Sequence, residues 1–317
     1  MGAGHHHHHG HGHGHAPGHG HHHGPPTNGG HGTAFAIAVT LNLAFVAIEA
    51  AAGWYSGSVA LLADAGHNLG DVLSLLLAWG ASILAARPPS ARFTYGLKSS
   101  SILAAMANAA LLWVALGAIL IETIRRFADP APVAGLTMTL VAAAGIAVNG
   151  LSALLFAKGR ANDLNLRAAF LHLVADAAVS GGVVVAGLLI MATGLQWIDP
   201  VTSLVITAVI AIGSWGLLRD SVKLGLLGVP AGIDQAAVRA FLAAQPGVSA
   251  VHDLHIWPMS TTETALTAHL VIPAGHPGDG FLHDLAHELE HDFAIGHATI
   301  QIETAQGACA LHADEVV

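Results

Sequence analysis

The sequence predicts a multi-span α-helical membrane protein with six transmembrane helices and a small α+β domain at its C-terminal end. Hydrophobic residues make up 53% of the 317 residues, charged residues only 10%, and the mean hydropathy is +0.60, whereas about a quarter of a soluble domain is charged. Six apolar runs approach or exceed the roughly 20 residues that a helix needs to cross a bilayer. Beyond Gly228 the pattern becomes amphipathic, as in a soluble domain.

The six apolar runs follow one another from residue 33 to residue 218. Their predicted bounds are Thr33–Tyr55, Val59–Ala86, Ser99–Ile124, Val133–Ala157, Ala168–Thr193 and Val201–Leu218. The first run has no preceding Lys or Arg and is longer than the apolar core of a signal peptide, about 7 to 15 residues. We therefore interpret it as a retained helix.

The eleven Lys and Arg residues predict the orientation in the membrane. If both termini are cytoplasmic, only Arg125 and Arg126 lie outside, and the positive-inside rule favours this arrangement. The nine residues then on the cytoplasmic side are Arg87, Arg92, Lys98, Lys158, Arg160, Arg167, Arg219, Lys223 and Arg239.

Residues 1–32 form a separate N-terminal tail that holds 13 of the 24 histidines. The histidines alternate with Gly and Pro, and almost nothing apolar is present to bury, so we expect a disordered segment. An expression tag would be one unbroken block, whereas these runs are irregular. The favoured interpretation is a native tail that collects metal ions.

Residues 229–317 are predicted to form a cytoplasmic domain after the membrane domain of residues 33–228. Its elements, in the order αββαβ, are a helix at Ile233–Ala244, strands at Val248–Trp257 and Ala265–Ile272, a helix at Gly280–Phe293 and a strand at Thr299–Glu303. This order fits a ferredoxin-like α+β domain. So small a domain would gain stability by docking to a twin subunit.

Two matched pairs of ionisable residues lie inside the apolar runs: His67 with Asp71 in the second, and His172 with Asp176 in the fifth. A spacing of four places each histidine one helical turn from its aspartate on the same face. Two imidazoles and two carboxylates suit tetrahedral zinc, whereas magnesium or calcium would prefer oxygen alone. Ionisable residues within a membrane are functional candidates by default. The alternative is that the histidines are structural and hydrogen-bond to neighbouring helices, but this accounts poorly for two matched pairs.

Transport requires that the ion can leave this predicted site. The two carboxylates neutralise a dication, and when it departs they and the imidazoles must take up protons or stand as uncompensated charge. Metal and proton therefore compete for the same atoms, which predicts a proton antiporter. Asp64, one turn before His67, either relays metal or protons or hydrogen-bonds within the bundle. Glu49 in the first span is a further candidate for the same aqueous path.

These motifs resemble those of the cation diffusion facilitator family, in particular its bacterial zinc, cadmium and cobalt exporters, from about Thr33 to Glu303. The resemblance is carried by four segments: Ser58 to His67 running into Asp71, the His172 and Asp176 pair, Ile198-Asp199-Pro200, and Val251 to Trp257. It implies a homodimer in the bacterial inner membrane with a metallochaperone-like cytoplasmic domain. It also implies export of Zn²⁺, with Cd²⁺ or Co²⁺ as alternatives, driven by inward proton flow.

The chain departs from the family pattern at two places. Tyr95-Gly96 is followed by Leu97 and Lys98 where the family has Arg and Glu, and Leu227 stands where a Glu often precedes the Gly-Val-Pro motif. Both changes put the salt bridges between domains or at the dimer hinge in doubt.

A second metal site is predicted in the cytoplasmic domain. His252, His269 and Glu303 lie on the three predicted strands and could meet across an open sheet, with the histidine tail as a possible fourth ligand. Similar family members bind zinc with residues at matching places. Strand histidines with a purely structural role are the alternative.

The segment His287-Glu288-Leu289-Glu290-His291 matches the zinc-protease pattern HExxH. A protease also needs a third ligand, a protected water and a substrate cleft, for which this small domain leaves little room. Three hypotheses remain: an exporter, a membrane metalloprotease that uses His287, Glu288 and His291, and a passive zinc store or sensor. The exporter is favoured.

The composition excludes other classes of site and partner. A net charge of -9 provides no basic surface for nucleic acid. The single cysteine, Cys309, excludes an intramolecular disulfide and a Cys-rich zinc site. The expected partners are membrane lipid, metal ions, protons and a second copy of the chain, without an organic cofactor.

Overall fold

The computed structural model describes residues 32–157, 164–304 and 311. Six long helices come first, and each coincides with one predicted span: α1 Gly32–Ser56, α2 Val59–Ala85, α3 Ser100–Ala128, α4 Gly135–Phe156, α5 Leu164–Thr193 and α6 Ile198–Gly225. In the part of the chain that is described, the five helices α2 to α6 are long and apolar enough to cross a membrane. α1 has 25 residues, with Glu49 as its one charged residue. The predicted histidine tail, up to residue 31, lies outside the described residues.

The outer surface of the helical bundle is apolar. Large side chains such as Trp54, Val114 and Ile212 are mostly exposed, although water would disfavour so much exposed apolar area. The bundle interior is also apolar over much of its volume, with Leu61, Met138 and Val183 fully buried in one cluster. A helix that is apolar on both sides is what a bilayer requires, and the predicted multi-span membrane architecture is confirmed.

The start of α2 is held by a side chain from α6. Ser58 caps α2 through its hydroxyl, which accepts the Leu61 N–H at 3.1 Å. The Asp199 carboxylate then accepts the Ser58 hydroxyl at 2.6 Å and the backbone N–H of Val59 at 2.8 Å. The first N–H groups of a helix have no partner within it and carry partial positive charge, so a carboxylate is well placed there. Asp199 thus joins two helices that are far apart in sequence.

The pair α4 and α5 packs closely because glycines face each other. A Cβ atom built on Gly187 would lie 3.0 Å from the carbonyl oxygen of Gly135 and would collide with the Thr139 side chain. Without Cβ atoms at these positions, the two backbones approach closely, as small residues allow in membrane helices. On the other side of the bundle, α2, α3 and α6 pack against one another.

The C-terminal domain has the predicted αββαβ order. Its elements are α7 Gln235–Ala243, β1 Ala250–Pro258, β2 Thr264–Val271, α8 Asp279–Phe293 and β3 His297–Glu303. The sheet order is β1-β2-β3, with β1 antiparallel and β3 parallel to β2. Leu242 of α7 and Leu289 of α8 pack with Leu266 and Leu270 of β2 in one buried core. Both helices therefore cover the same face of the sheet.

Strand β1 contains an irregularity at Asp253. This residue has a positive φ of 50°, and the register against β2 shifts between His252 and His255. In regular alternation, His252 would share the core face of Leu254; the additional residue turns it to the opposite face, where His255 and His269 lie. The bulge therefore brings the histidines of β1 and β2 to one side of the sheet.

The two domains contact each other through the segment between α2 and α3. The Lys98 ammonium lies 2.6 Å from the Glu263 carboxylate in the turn between β1 and β2. The Ser99 hydroxyl donates to the Met259 carbonyl at 3.2 Å, and the Ser101 hydroxyl accepts the Thr261 N–H at 3.1 Å. Lys98 belongs to the segment that departs from the family pattern. An interdomain ion pair is thus present at the place where the sequence put one in doubt.

Replacement of Asp199 by Ala is expected to lower the free energy of unfolding by about 2–3 kcal/mol, because buried donors at the start of α2 lose their acceptor. Asp220→Ala is the matched control on the same helix, since Asp220 is exposed and pairs with neighbouring Arg219; its effect should stay within about 0.5 kcal/mol. Thermal unfolding in detergent micelles compares the two. Equal unfolding temperatures would contradict the role given to Asp199.

Candidate metal centre

Helices α2 and α5 bring together the four residues predicted as a transport site. The closest contacts run between the helices: His67 Nε2 lies 3.3 Å from Asp176 Oδ1, and His172 Nε2 lies 3.1 Å from Asp71 Oδ2. Within each helix the distances are longer, 3.8 Å from His67 to Asp71 and 3.6 Å from His172 to Asp176. Each histidine therefore faces the aspartate of the other helix most closely. We call these four residues the quartet.

Four distances between histidine nitrogens and aspartate oxygens of the quartet are close to those of a tetrahedral site. Bonds of about 2.0–2.2 Å from zinc to nitrogen and oxygen place two ligand atoms about 3.3–3.6 Å apart. The four contacts span 3.1 to 3.8 Å. The ligand atoms of His67, Asp71 and Asp176 all lie within 4.8 Å of one another. Two carboxylates and two neutral imidazoles carry charge -2 in total, which a divalent cation cancels.

The quartet is partly open to its surroundings. The Asp176 side chain is 6% exposed, whereas the Asp71 side chain is 35% exposed and that of His172 28%. The site thus has a closed side at Asp176 and an open side at Asp71.

A buried polar network lies next to the quartet and joins α1, α2 and α5. Glu49 of α1 accepts the Asn68 amide at 3.1 Å, and Asp64 of α2 accepts the Ser180 hydroxyl of α5 at 2.9 Å. The carboxyl groups of Glu49 and Asp64 are also within hydrogen-bonding reach of each other. Both side chains are fully buried. Asp64 therefore belongs to this network.

Two members of this network were not predicted from the sequence. Asn68 lies four residues after Asp64, and Ser180 lies four residues after Asp176. The spacing that identified the quartet thus also marks these positions. Polar uncharged residues are common within membrane helices, so their spacing alone did not distinguish them.

The sheet of the C-terminal domain brings together the second predicted group. His269 Nδ1 lies 3.1 Å from Glu303 Oε1, and His252 Nε2 lies 3.3 Å from Glu303 Oε2. Ligand atoms of the three residues all lie within 4.8 Å of one another, and both histidines are buried. The bulge at Asp253 makes this possible, because it turns His252 towards His269.

Two further residues extend this sheet cluster and were missed by the sequence analysis. Asp253 Oδ2 lies 3.3 Å from His269 Nε2, and Asp253 Oδ1 lies 2.9 Å from His255 Nε2. The His269 ring therefore has a carboxylate beside each of its nitrogens. Strict alternation along β1 would place His252 and Asp253 on opposite faces of the sheet, and the bulge lets both side chains lie beside His269.

His287, Glu288 and His291 of the HExxH segment lie on the exposed face of α8. The rings of His287 and His291 are nearly parallel, at 9°, with centroids 6.4 Å apart. Among the residues that are described, no third His, Cys, Asp or Glu completes a ligand group with them. A zinc protease requires such a ligand.

Comparison with known proteins assigns both domains. Residues 35–224 match the family model described as "Cation efflux transmembrane domain". Residues 230–305 match the model described as "Cation efflux protein, cytoplasmic domain". The chain belongs to the cation diffusion facilitator family. The family resemblance of the sequence and the fold class that it predicted are both confirmed.

Bacterial members of the family are similar over most of the chain. "Zinc transporter ZitB" of Escherichia coli K12 is 38% identical over 281 residues, which is 88% of this chain and 89% of the relative. "Cadmium, cobalt and zinc/H(+)-K(+) antiporter" of Bacillus subtilis 168 is 34% identical over 87% of this chain and 90% of its own length. "Metal cation efflux system protein CzcD" of Cupriavidus metallidurans CH34 is 35% identical, over 87% and 88% respectively.

Membership of the cation diffusion facilitators determines the general activity. This chain is a multi-pass membrane protein for the efflux of metal cations and is a transporter rather than an enzyme. The metalloprotease hypothesis for His287, Glu288 and His291 is therefore wrong. The structure gives a physical reason for this result: in the described residues, no third ligand lies close to these exposed side chains.

Proposed function

We propose that this protein exports Zn²⁺ from the cytoplasm in exchange for protons, through the quartet His67, Asp71, His172 and Asp176. The observation that carries the proposal is the pair of contacts across α2 and α5, at 3.3 and 3.1 Å. Imidazole and carboxylate ligands suit zinc and its neighbours, so Cd²⁺ and Co²⁺ are alternative substrates. The names of the relatives, which mention zinc, cadmium, cobalt and protons, support the same choice.

The proton exchange follows from the charges of the quartet. While a dication is bound, its charge balances the two aspartates. After release, each aspartate faces a histidine of the other helix at hydrogen-bonding distance, so protonated imidazoles can replace the lost positive charge. Imidazole suits this exchange because its ordinary titration lies near physiological pH. Zinc and protons then exclude one another at the same atoms.

The buried network of Glu49 and Asp64 is proposed as the proton relay to the quartet. Ionisable groups that face the interior of a membrane bundle and pair with one another are typical of proton relays. The network begins one turn from His67 and reaches α1. It therefore offers protons a path up to the quartet through residues that are not metal ligands.

The arrangement in the cell is proposed from charge and from the family. Both termini lie in the cytoplasm, since nine of eleven basic residues then lie on that side, and the membrane is the bacterial inner membrane. Residues 1–32 collect metal, residues 33–228 transport it, and residues 229–317 form the cytoplasmic domain through which two subunits pair. The family matches, which end at residue 224 and begin again at residue 230, support the second boundary.

The sheet cluster of the cytoplasmic domain is proposed as a second zinc site. His252, His269 and Glu303 supply two nitrogens and a carboxylate within 4.8 Å of one another, which is a sufficient set for zinc. Because it lies outside the membrane domain, this site is suited to regulation by cytoplasmic metal rather than to passage.

Asp176→Ala is expected to abolish zinc flux into sealed vesicles, with a loss of at least about 100-fold, because a ligand matters more than the outer-shell groups whose loss costs 10–100-fold. Asp129→Ala, which removes an exposed carboxylate beyond the end of α3, is the control and should transport normally. Normal flux in Asp176→Ala would remove the quartet from the transport path. Wild-type protein that binds zinc without any flux would favour a passive store.

His67→Asp is expected to shift selectivity towards manganese and iron(II) relative to zinc. Three carboxylates and one imidazole form a harder ligand set than the native one. Competition among zinc, cadmium, iron(II) and manganese in vesicles from pH 6 to 8 measures the change. If the order of preference and the pH profile both stay the same, His67 does not contact the ion.

Glu49→Gln is expected to reduce the number of protons that move per zinc ion while zinc binding to the quartet persists, because an amide cannot relay a proton as a carboxyl group does. Glu122→Gln is the matched control, since Glu122 pairs with Arg126 outside the network. Simultaneous recording of zinc and of internal pH in vesicles gives the ratio. An unchanged ratio in Glu49→Gln would place all proton transfer at the quartet.

A further inference from the structure

Three histidines form a row along the exposed face of α8. His283, His287 and His291 follow one another at intervals of four, so each lies one helical turn from the next on one side. The opposite side of the helix holds Leu285 and Leu289, which are buried in the domain core. The row lies outside both the quartet and the sheet cluster, and the transport activity makes no use of it.

The last two histidines of the row are arranged as a pair. The rings of His287 and His291 are nearly parallel, with an angle of 9° and centroids 6.4 Å apart. Exposed side chains change rotamer quickly, within nanoseconds, so a modest rotation can direct one nitrogen of each ring to a shared ion. Two histidines at this spacing on one helical face are a known arrangement for zinc.

A neighbouring carboxylate prepares one ring for metal binding. Asp292 Oδ1 lies 2.6 Å from His291 Nδ1. When Nδ1 carries the hydrogen and donates it to Asp292, the lone pair remains on Nε2, and a carboxylate of this kind orients the ligand and raises its basicity. Asp284 and Glu288 each precede a histidine of the pair by three residues. The helix carries five acidic residues and no Lys or Arg, which favours the approach of a cation.

The pair lies near the junction of the two domains. His291 and Asp292 line a cleft of about 380 Å³, whose other walls include Leu224 at the end of α6 and the linker from Pro230 to Ile233. An ion held here would be at the cytoplasmic end of the membrane domain.

We propose that His287 and His291 form a two-histidine chelate for a divalent cation of the zinc type, with Asp292 as the residue that orients His291. Water completes the coordination, because the helix supplies only these two imidazoles. Such a site exchanges its ion readily, which suits temporary capture beside the domain junction. The HExxH pattern of this chain then marks a binding site without catalysis, and the site is independent of transport through the quartet.

The test uses the full chain in detergent with Zn²⁺ alone, at free concentrations fixed by a metal buffer so that the histidine tail cannot deplete the ion. Histidine-selective modification by diethyl pyrocarbonate, resolved peptide by peptide in a mass spectrometer, measures the protection of each ring. His287 and His291 should become protected together, at one zinc concentration. His276, exposed in a loop without a histidine one turn away, should need more zinc.

His291→Ala should raise the zinc concentration that protects His287 by at least about tenfold, because the second ligand on the same helix acts at a high effective concentration. His283→Ala is the matched control, one turn to the other side, and should leave the protection of His287 unchanged. Asp292→Asn should raise the zinc concentration at which each ring is half protected, while both rings still become protected together. Alanine favours helix, so α8 persists in both alanine variants.

Equal protection of His287 with and without the His291 side chain would overturn the proposal. So would a loss of His287 protection in His283→Ala, since the chelate would then be the other pair of the row. Protection of His287 only at the zinc concentration that protects His276 would show independent surface histidines.

Discussion

Asp71 of α2 and Asp176 of α5 place two carboxylates within 4.8 Å of each other between the helices, and their negative charge must be balanced there. Each carboxylate of Asp71 and Asp176 lies closest to the imidazole of the opposite helix, so the balance of charge also joins the helices. Unpaired buried charge is costly, and removal of one partner exposes the full cost of the other. Either a dication or protons on the carboxylates and imidazoles can balance this charge. Under the proposed function, this need for charge balance both joins the two helices and lets metal and protons exchange.

The rest of the bundle divides into groups that meet at this place. α2 packs with α3 and α6 and is fixed at its start by Asp199, while α5 packs against α4 through Gly135 and Gly187. Direct contacts between α2 and α5 are few in the part of the chain that is described, and they include the polar contacts of the quartet. The groups also contact each other through α1, which packs against both α2 and α4, and through α5 against α6. The quartet adds polar contacts between α2 and α5 to this apolar packing. Packed units that shift against one another at such a boundary are a common basis of switching.

Local sequence patterns predicted most of this architecture, because apolar length and residue spacing act within one helix or strand. The six spans, the αββαβ order and the spacing of His67 to Asp71 are of this kind. Distant pairing decides the remainder. His252 and Asp253 both lie beside His269 because a bulge interrupts the alternation of β1, and Lys98 pairs with Glu263 across the two domains. Neither the bulge nor the interdomain ion pair produces a repeating pattern in the sequence. The quartet and the sheet cluster are gathered as predicted, and their occupation by metal stays a prediction.

The cap that Asp199 provides for α2 has a consequence for biosynthesis. Its partner Ser58 precedes it by 141 residues, and a ribosome that adds about 5–20 residues per second needs about 7–28 s to cover that distance. During this interval the second helix is already made, but the N–H groups of Val59 and Ala60 lack the acceptor that they have in the finished bundle. The second helix therefore reaches its final position only after the sixth has entered the bilayer. The quartet, to which the second helix contributes His67 and Asp71, is completed late in assembly.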